Sequence, residues 1–220
     1  MATFTATAGS STTIGSARCG SSSWYTGTTN GATQGAYQST SASNSYVGVM
    51  LFDGAGDALK GKVIQQIDLT ITCSGAGSGR DTKVLSFRKA NYQLLQKGIK
   101  GSEQVGDALG TLTGKFYSNT VTHTLSASSN VDLFNAMKAY FAEGNSVLVL
   151  YNGEVSSSSS SYSSNYARVT TCVLTVTYVD AAVWYCNGGV WQQCAVWYRS
   201  NGTWIQCVPY YNSGGTWIRV

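Results

Sequence analysis

Charge, proline and histidine are scarce in this sequence. Only 11% of its 220 residues are charged, against about 25% in an average soluble protein. The formal net charge of +4 is spread along the chain. No basic stripe or arginine-rich arm is present, so the sequence predicts no nucleic-acid partner. No apolar run approaches the length of a membrane-spanning helix, so no membrane insertion is expected. The opening MATFTATAGSSTT has neither a charged first segment nor an apolar second one. It therefore predicts synthesis in a cytoplasm without a secretory leader.

The scarcity extends to catalytic groups. His123 is the single histidine. It alternates onto the face of Val121 and Leu125, the place of an inward or interface side chain. No nucleophile elbow supports a triad around it. The ten carboxylates are scattered. Glu103, Asp107, Asp132, Glu143 and Glu154 show no spacing that singles out a glycosidase pair. Asp53 and Asp57 flank the glycine turn DGAGD. Calcium is the functional reading of that turn, and plain turn formation is preferred because the EF-hand pattern is absent. GAGSG lacks the lysine of a phosphate loop. The expectation is a non-enzymatic protein with no metal and no cofactor.

Six cysteines stand at 19, 73, 172, 186, 194 and 207, none in a CxxC pair. Zinc is disfavoured by that spacing. Cytoplasmic synthesis favours thiols at first. Cys73 closes a strand whose inward set is Ile67, Leu69 and Ile71, and Cys172 alternates with Leu174, Val176 and Tyr178. Both read as buried core thiols. The sequence leaves open whether Cys186, Cys194 and Cys207 form disulfides.

What is abundant is glycine, serine, threonine and β-forming runs. Phe4, Ala6 and Ala8 alternate with Thr5 and Thr7, a first strand at an edge. Residues 9–45 read as a polar loop layer holding Trp24, Tyr25 and Tyr37. YVGVMLF (46–52), VIQQIDLTITC (63–73), KVLSFRKANYQ (83–93), VTHTL (121–125), SVLVLYN (146–152) and ARVTTCVLTVTYV (167–179) read as strands. DGAGDALKGK reads as a turn, and 94–115 as loop-rich. One short helix follows Asn130, with Asn130 as its cap, Asp132 at its positive end and Gly144 as its stop. These elements predict an all-β sandwich over residues 1–180.

The last 38 residues are a repeat. VWYCNGGVWQQC, VWYRSNGTWIQC and VPYYNSGGTWIRV recur at a step of 13. Trp191, Trp204 and Trp217 hold one column; Trp184, Trp197 and Tyr210 hold another. Gly189, Gly202 and Gly215 fall in a third, and Cys194, Cys207 and Val220 in a fourth. A fixed step this short marks one small unit used three times. Asn-Gly and Gly-Gly between β-formers make each copy a tight hairpin. Residues 183–220 are thus a three-copy β-hairpin appendage, expected as a six-stranded meander or a small stack. Its aromatic surface calls for a cover: a second copy, another protein or a ligand.

Two resemblances add to this reading. SNSYVGVMLFDGAGDALKGKVIQQIDLTIT, VDLFNAMKAYFAEGNSVLVLYNG and YARVTTCVLTVTY resemble the strands and short helix of jelly-roll modules found beside carbohydrate-active and surface proteins. The likeness covers roughly residues 3–179. It departs at Met50-Leu51-Phe52-Asp53, which carries no arginine, and at Arg168, which replaces the usual proline region. It implies a carbohydrate-binding-module shape, though a fold alone does not assign sugar binding. The repeats of the form Y-x-x-G-x-W-x-x-C/V are similar to those ending tail and surface proteins of bacteriophages. That resemblance implies a virion protein: a tail-tip or short-fibre component meeting host glycan, or a capsid-decoration or head-fibre protein. Its partners would be other virion proteins and further copies of itself, a trimer being favoured. A stand-alone carbohydrate-binding or lysis-associated module is the alternative of another class.

Sugars present apolar C–H faces and hydroxyl edges, so flat rings beside neutral polar groups suit them. Candidate platforms are Trp24, Tyr25 and Tyr37 in the N-terminal layer. In the repeat they are Trp184, Trp191, Trp197, Trp204, Tyr210 and Trp217, with Gln192, Gln193 and Gln206. For each, the competing reading is a ring that only staples a loop or an interface.

Overall fold

The computed structural model describes residues 1–36, 45–74, 84–95, 98–153, 166–180 and the tail strands between 183 and 219. Within the tail, description beyond the backbone covers only Arg199–Thr203. Tyr37 lies outside the described residues.

Before the tail the described residues form eleven strands: β1 (Ala2–Ala8), β2 (Ile14–Arg18), β3 (Tyr25–Thr26), β4 (Ala32–Gln34), β5 (Tyr46–Leu51), β6 (Val63–Cys73), β7 (Val84–Ala90), β8 (Val105–Thr113), β9 (Thr120–Ser126), β10 (Val147–Leu150) and β11 (Ala167–Val179). One antiparallel sheet runs β1-β11-β6-β9, with β4 also on β11; the other runs β3-β2-β5-β10-β7-β8. Take β1 and β5–β11 as eight strands in chain order. The sheets then read 1-8-3-6 and 2-7-4-5, two interlocked Greek keys. This is a jelly-roll β-sandwich.

The alternation read in the sequence is the alternation of burial. In β6, Ile67, Leu69, Ile71 and Cys73 are buried; in β11, Cys172, Leu174 and Val176 are buried. These join Phe52, Phe87 and Phe141 in the core between the sheets. The opposite face of this sheet carries threonine: Thr5 meets Thr175, Thr70 meets Thr122 at 2.8 Å, and Thr72 meets Thr120 at 3.0 Å. The second sheet is covered on both faces. Val47, Val49, Val147 and Val149 form a separate buried cluster under Trp24, Leu95 and Tyr151. That is why VLVL in β10 is buried without a break.

Among the described residues there are two α-helices rather than the single one expected. The turn DGAGDALKGK contains a five-residue helix, α1 (Ala55–Leu59), because Ala55 and Leu59 find core to bury in. The expected helix is α2 (Val131–Ala142), which buries Leu133, Phe134, Met137, Tyr140 and Phe141. Asn130 precedes it with φ 51 and makes no side-chain cap. Its amide donates instead to the Thr124 carbonyl at 3.1 Å. The polar stretch 9–45 contains β2, β3 and β4, and the loop-rich stretch 94–115 contains β8 and a 3-10 turn (Gly101–Gln104).

Tyr140 ties α2 to the second sheet. Its buried hydroxyl donates to the Val147 carbonyl at 2.9 Å and accepts from the Ala90 N–H at 3.0 Å and the Gln93 amide at 2.9 Å. Tyr140→Phe leaves these groups without their partner and should cost about 1–3 kcal/mol. Urea unfolding measures it, and an unchanged midpoint would show that water replaces the hydroxyl.

The tail consists of β12 (Val183–Asn187), β13 (Val190–Cys194), β14 (Val196–Ser200), β15 (Thr203–Cys207), β16 (Tyr210–Ser213) and β17 (Thr216–Arg219). They form three separate two-stranded sheets, not one six-stranded meander. Among the described residues each strand bonds only to the other strand of its own pair, the two being two residues apart in sequence. In the second copy Asn201 (φ 48) and Gly202 (φ 83) supply the two positive φ angles of a type I′ turn.

Candidate functional site

A small polar cleft opens where the two sheets are stitched together. The stitch is β4. It pairs with the start of β11 in one sheet, Thr33 opposite Arg168. Just beyond it, Gly35 bridges to Tyr46 at the start of β5 in the other. The turn leading into β4 needs glycine at position 31. Gly31 has φ +60, and a Cβ there would lie 2.4 Å from the Val169 carbonyl oxygen.

The cleft has a volume of about 140 Å³ and is lined by Ser16, Tyr25, Asn30, Thr33, Tyr46, Tyr166 and Arg168. Ser16 and Thr33 form a closed floor, each 2% exposed. Tyr25 stands at the rim, 51% exposed. Tyr46 and Tyr166 meet edge to face, ring centroids 6.3 Å apart at 84°. Arg168 donates from Nη2 to the Tyr166 hydroxyl at 3.0 Å. Burial raises the Tyr166 pKa above the usual tyrosine value, and the nearby guanidinium only partly offsets this. The phenol is therefore neutral at physiological pH. The Arg18 guanidinium carbon sits 6.0 Å from the centre of the Tyr46 ring. Asn30 and Thr33 hold the turn, Asn30 donating to the Thr26 carbonyl and Thr33 to the Asn30 carbonyl, both at 3.1 Å.

The sequence candidates separate here. Tyr25 is an exposed ring beside neutral polar groups. Trp24 is partly buried against the valine cluster, and its indole N–H donates to the Ile99 carbonyl at 3.0 Å. It holds the 98–104 segment on the sheet, the stapling role. In the tail, side chains of the candidate residues lie outside the described residues, but the backbone register is given. It sets Trp184 opposite Gln193 and Cys186 opposite Trp191. It sets Trp197 opposite Gln206 and Arg199 opposite Trp204. It sets Tyr210 opposite Arg219 and Asn212 opposite Trp217. Directly paired residues share a face. Both aromatic columns, with Gln193 and Gln206, therefore fall on one face of each ribbon. Gln192 and the column of Cys194 and Cys207 fall on the other.

Sequence reading missed Ser16, Asn30, Thr33, Tyr46, Tyr166 and Arg168 as one site. The available signal was Arg168 itself, a charge at the start of a buried strand and two residues from a tyrosine on the same face.

Other groups are placed for structure. Asp53 and Asp57 flank the start of α1. Among the described residues no three His, Cys, Asp or Glu side chains converge as metal ligands. Cys19, Cys73 and Cys172 are buried thiols. Burial pushes Cys73 up to about 12, and raises Cys172 as well. Neither should react with iodoacetamide in the native protein at pH 8, a result peptide mass spectrometry reads. Rapid native alkylation at either would contradict their burial. Beside α2, an apolar groove of about 520 Å³ runs between Val63, Ile64, Phe134 and Ala139. Its rim residue Lys62 pairs with Asp180, where the chain leaves the sandwich.

His123 packs its ring against Phe116, with centroids 5.5 Å apart, and its Nε2 is closed from solvent without a hydrogen-bond partner among the described residues. Burial lowers its pKa below the usual histidine value. Folding then favours the neutral ring. Stability is intact above the unfolded-state pKa of about 6.5 and is lost as pH falls below it. His123→Leu should flatten the fall in melting temperature between about pH 7 and pH 5. An unchanged profile would show that His123 takes no part in it.

No family model matches the chain, and no curated protein matches it.

Proposed function

We propose that this chain is a non-enzymatic structural protein of a bacteriophage virion that contacts host-surface glycan through the cleft of its jelly roll. One observation carries the reading: the molecule has two ends. Arg168 in the cleft lies near the start of β11, and Asp180, where the tail departs, follows its end. Twelve residues of extended strand separate them by about 40 Å. The tail end holds the aromatic repeats and the apolar groove, features of assembly. The other end holds an open cleft with a rim tyrosine and a floor of hydroxyl groups, features of sugar recognition. The phage-like repeat pattern supports placing this two-ended molecule on a virion. Anchored by the tail, a tail-tip or short-fibre protein presents its cleft outward.

A bacterial glycan array tests the reading. The full chain should bind a defined subset of glycans. Tyr25→Ala removes an exposed ring without touching the core, and should weaken that binding about tenfold, or ~1.4 kcal/mol. Binding to no glycan would overturn the reading, as would full binding by Tyr25→Ala. Glycan binding by a protein that purified phage particles do not contain would favour a stand-alone carbohydrate-binding module.

A further inference from the structure

We infer that the cleft takes an acidic sugar, one whose carboxylate is met by Arg168. The inference rests on the glycan-binding reading above and adds the chemical class of the ligand.

Among the described residues, those lining the cleft carry charge of one sign only. Arg168 lines it, Arg18 lies beside its Tyr46 wall, and no Asp or Glu is among the lining residues. Arg168 is partly buried, and among the described residues the one hydrogen bond of its guanidinium is to a neutral phenol. Its Nε is shut off from solvent with no hydrogen-bond partner among the described residues. Among the described residues the sole ion pair is Lys62–Asp180, at the far end of β11. Taking a guanidinium out of water without a counter-ion is unfavourable. In a chain with so few charges, placing one here is informative. An anion entering the cleft would offset that cost.

The surroundings specify more than charge. Guanidinium and carboxylate are both planar and match edge to edge. Ser16, Asn30 and Thr33 offer hydroxyl and amide groups within the same small space, and Tyr25 offers a ring at its mouth. A sugar whose carboxylate is attached directly to its ring can reach all three kinds of group together. Sulfate and phosphate esters can also meet a guanidinium through two oxygens, but they are tetrahedral and bulkier, and a cleft of about 140 Å³ favours the flat carboxylate.

The experiment uses the full chain on an array where each glucuronic, galacturonic or sialic acid glycan is printed beside its carboxyl-reduced form. Sulfated and phosphorylated neutral glycans form a third set. The acidic member of a pair should bind at least about tenfold better than its reduced form. That preference should shrink as sodium chloride is raised from about 50 mM to about 500 mM. Arg168→Gln should abolish the preference and leave residual binding of the neutral form. Arg168→Lys, which keeps the charge, should keep part of it. Equal binding of both members by the wild type would overturn the inference and leave glycan recognition standing. A preference retained in Arg168→Gln would also overturn it, as would stronger binding of the sulfated or phosphorylated set. Binding of neither member anywhere on the array would overturn both readings. If Arg168→Gln fails to fold, the wild-type pair comparison and its salt dependence decide the matter.

Discussion

Gly48→Val is expected to leave the chain unfolded, and Gly48→Ala to destabilise it by about 3 kcal/mol or more. Gly48 sits in β5 at the point where β4 crosses from one sheet to the other. It pairs with Ser16 on one side and Leu150 on the other. A Cβ at this position would lie 2.6 Å from the Thr33 nitrogen, and 2.7 and 2.9 Å from the carbonyl carbon and Cα of Ala32. All three are backbone atoms, so no rotamer change relieves the clash. Nor can β4 step back, because it is held by three register pairs to β11 and by the Gly35–Tyr46 bridge. The substitution therefore opens the seam that carries Thr33 and Arg168, and the cleft goes with it. Urea unfolding of Gly48→Ala decides the point. A loss below about 1 kcal/mol would mean that β4 is not seated against β5 as described.

Deleting residues 183–220 should convert an oligomer, a trimer on this account, into a monomer while leaving the jelly roll folded. The reasons are in the strand pairing. Among the described residues, β12–β17 pair only within their own hairpins, and none adds to either sheet of the sandwich. The sandwich core is complete without them, from β1 to β11. A two-stranded ribbon is marginal in water by itself. Each ribbon here places two aromatic columns on one face, so burial against other copies is the stabilising step available. Light scattering should give about three chain masses for the full protein and one for the truncation. The melting temperature of the truncated domain should stay close to that of the full chain. A truncated protein that fails to fold would show that the hairpins belong to the core. Two monomers would free the aromatic faces for a ligand.

The jelly roll was legible because its long strands have one dry face. VIQQIDLTITC and ARVTTCVLTVTYV alternate over most of their length, each slipping once where their shared ladder shifts register, and their ends at Val63–Cys73 and Ala167–Val179 fall where the sequence puts them. The helix after Asn130 was legible from its apolar spacing, but not how Asn130 would act. A side chain in the left-handed region points elsewhere, and it found Thr124. β2, β3 and β4 were not legible. Ile14, Gly15, Ser16 and Ala17 are buried without a break, since they lie in the seam rather than on a one-sided sheet. Small residues fit where backbones approach closely, and they leave no apolar period to detect. The cleft was hidden for a related reason. Its residues come from five separate segments between Ser16 and Arg168, brought together by β4. Tyr25 could be picked as an exposed ring, whereas its partners could not. The hairpins, by contrast, are local, and Asn201-Gly202 announces its own turn.

Glycan binding by the jelly roll alone, residues 1–182, tests the central claim most directly. The truncated domain is expected to recognise the same glycans as the full chain, with lower apparent affinity because a monomer presents one cleft instead of several. Loss of all glycan binding by a truncated domain that melts cooperatively would contradict the account. It would move recognition to the aromatic faces of the hairpins.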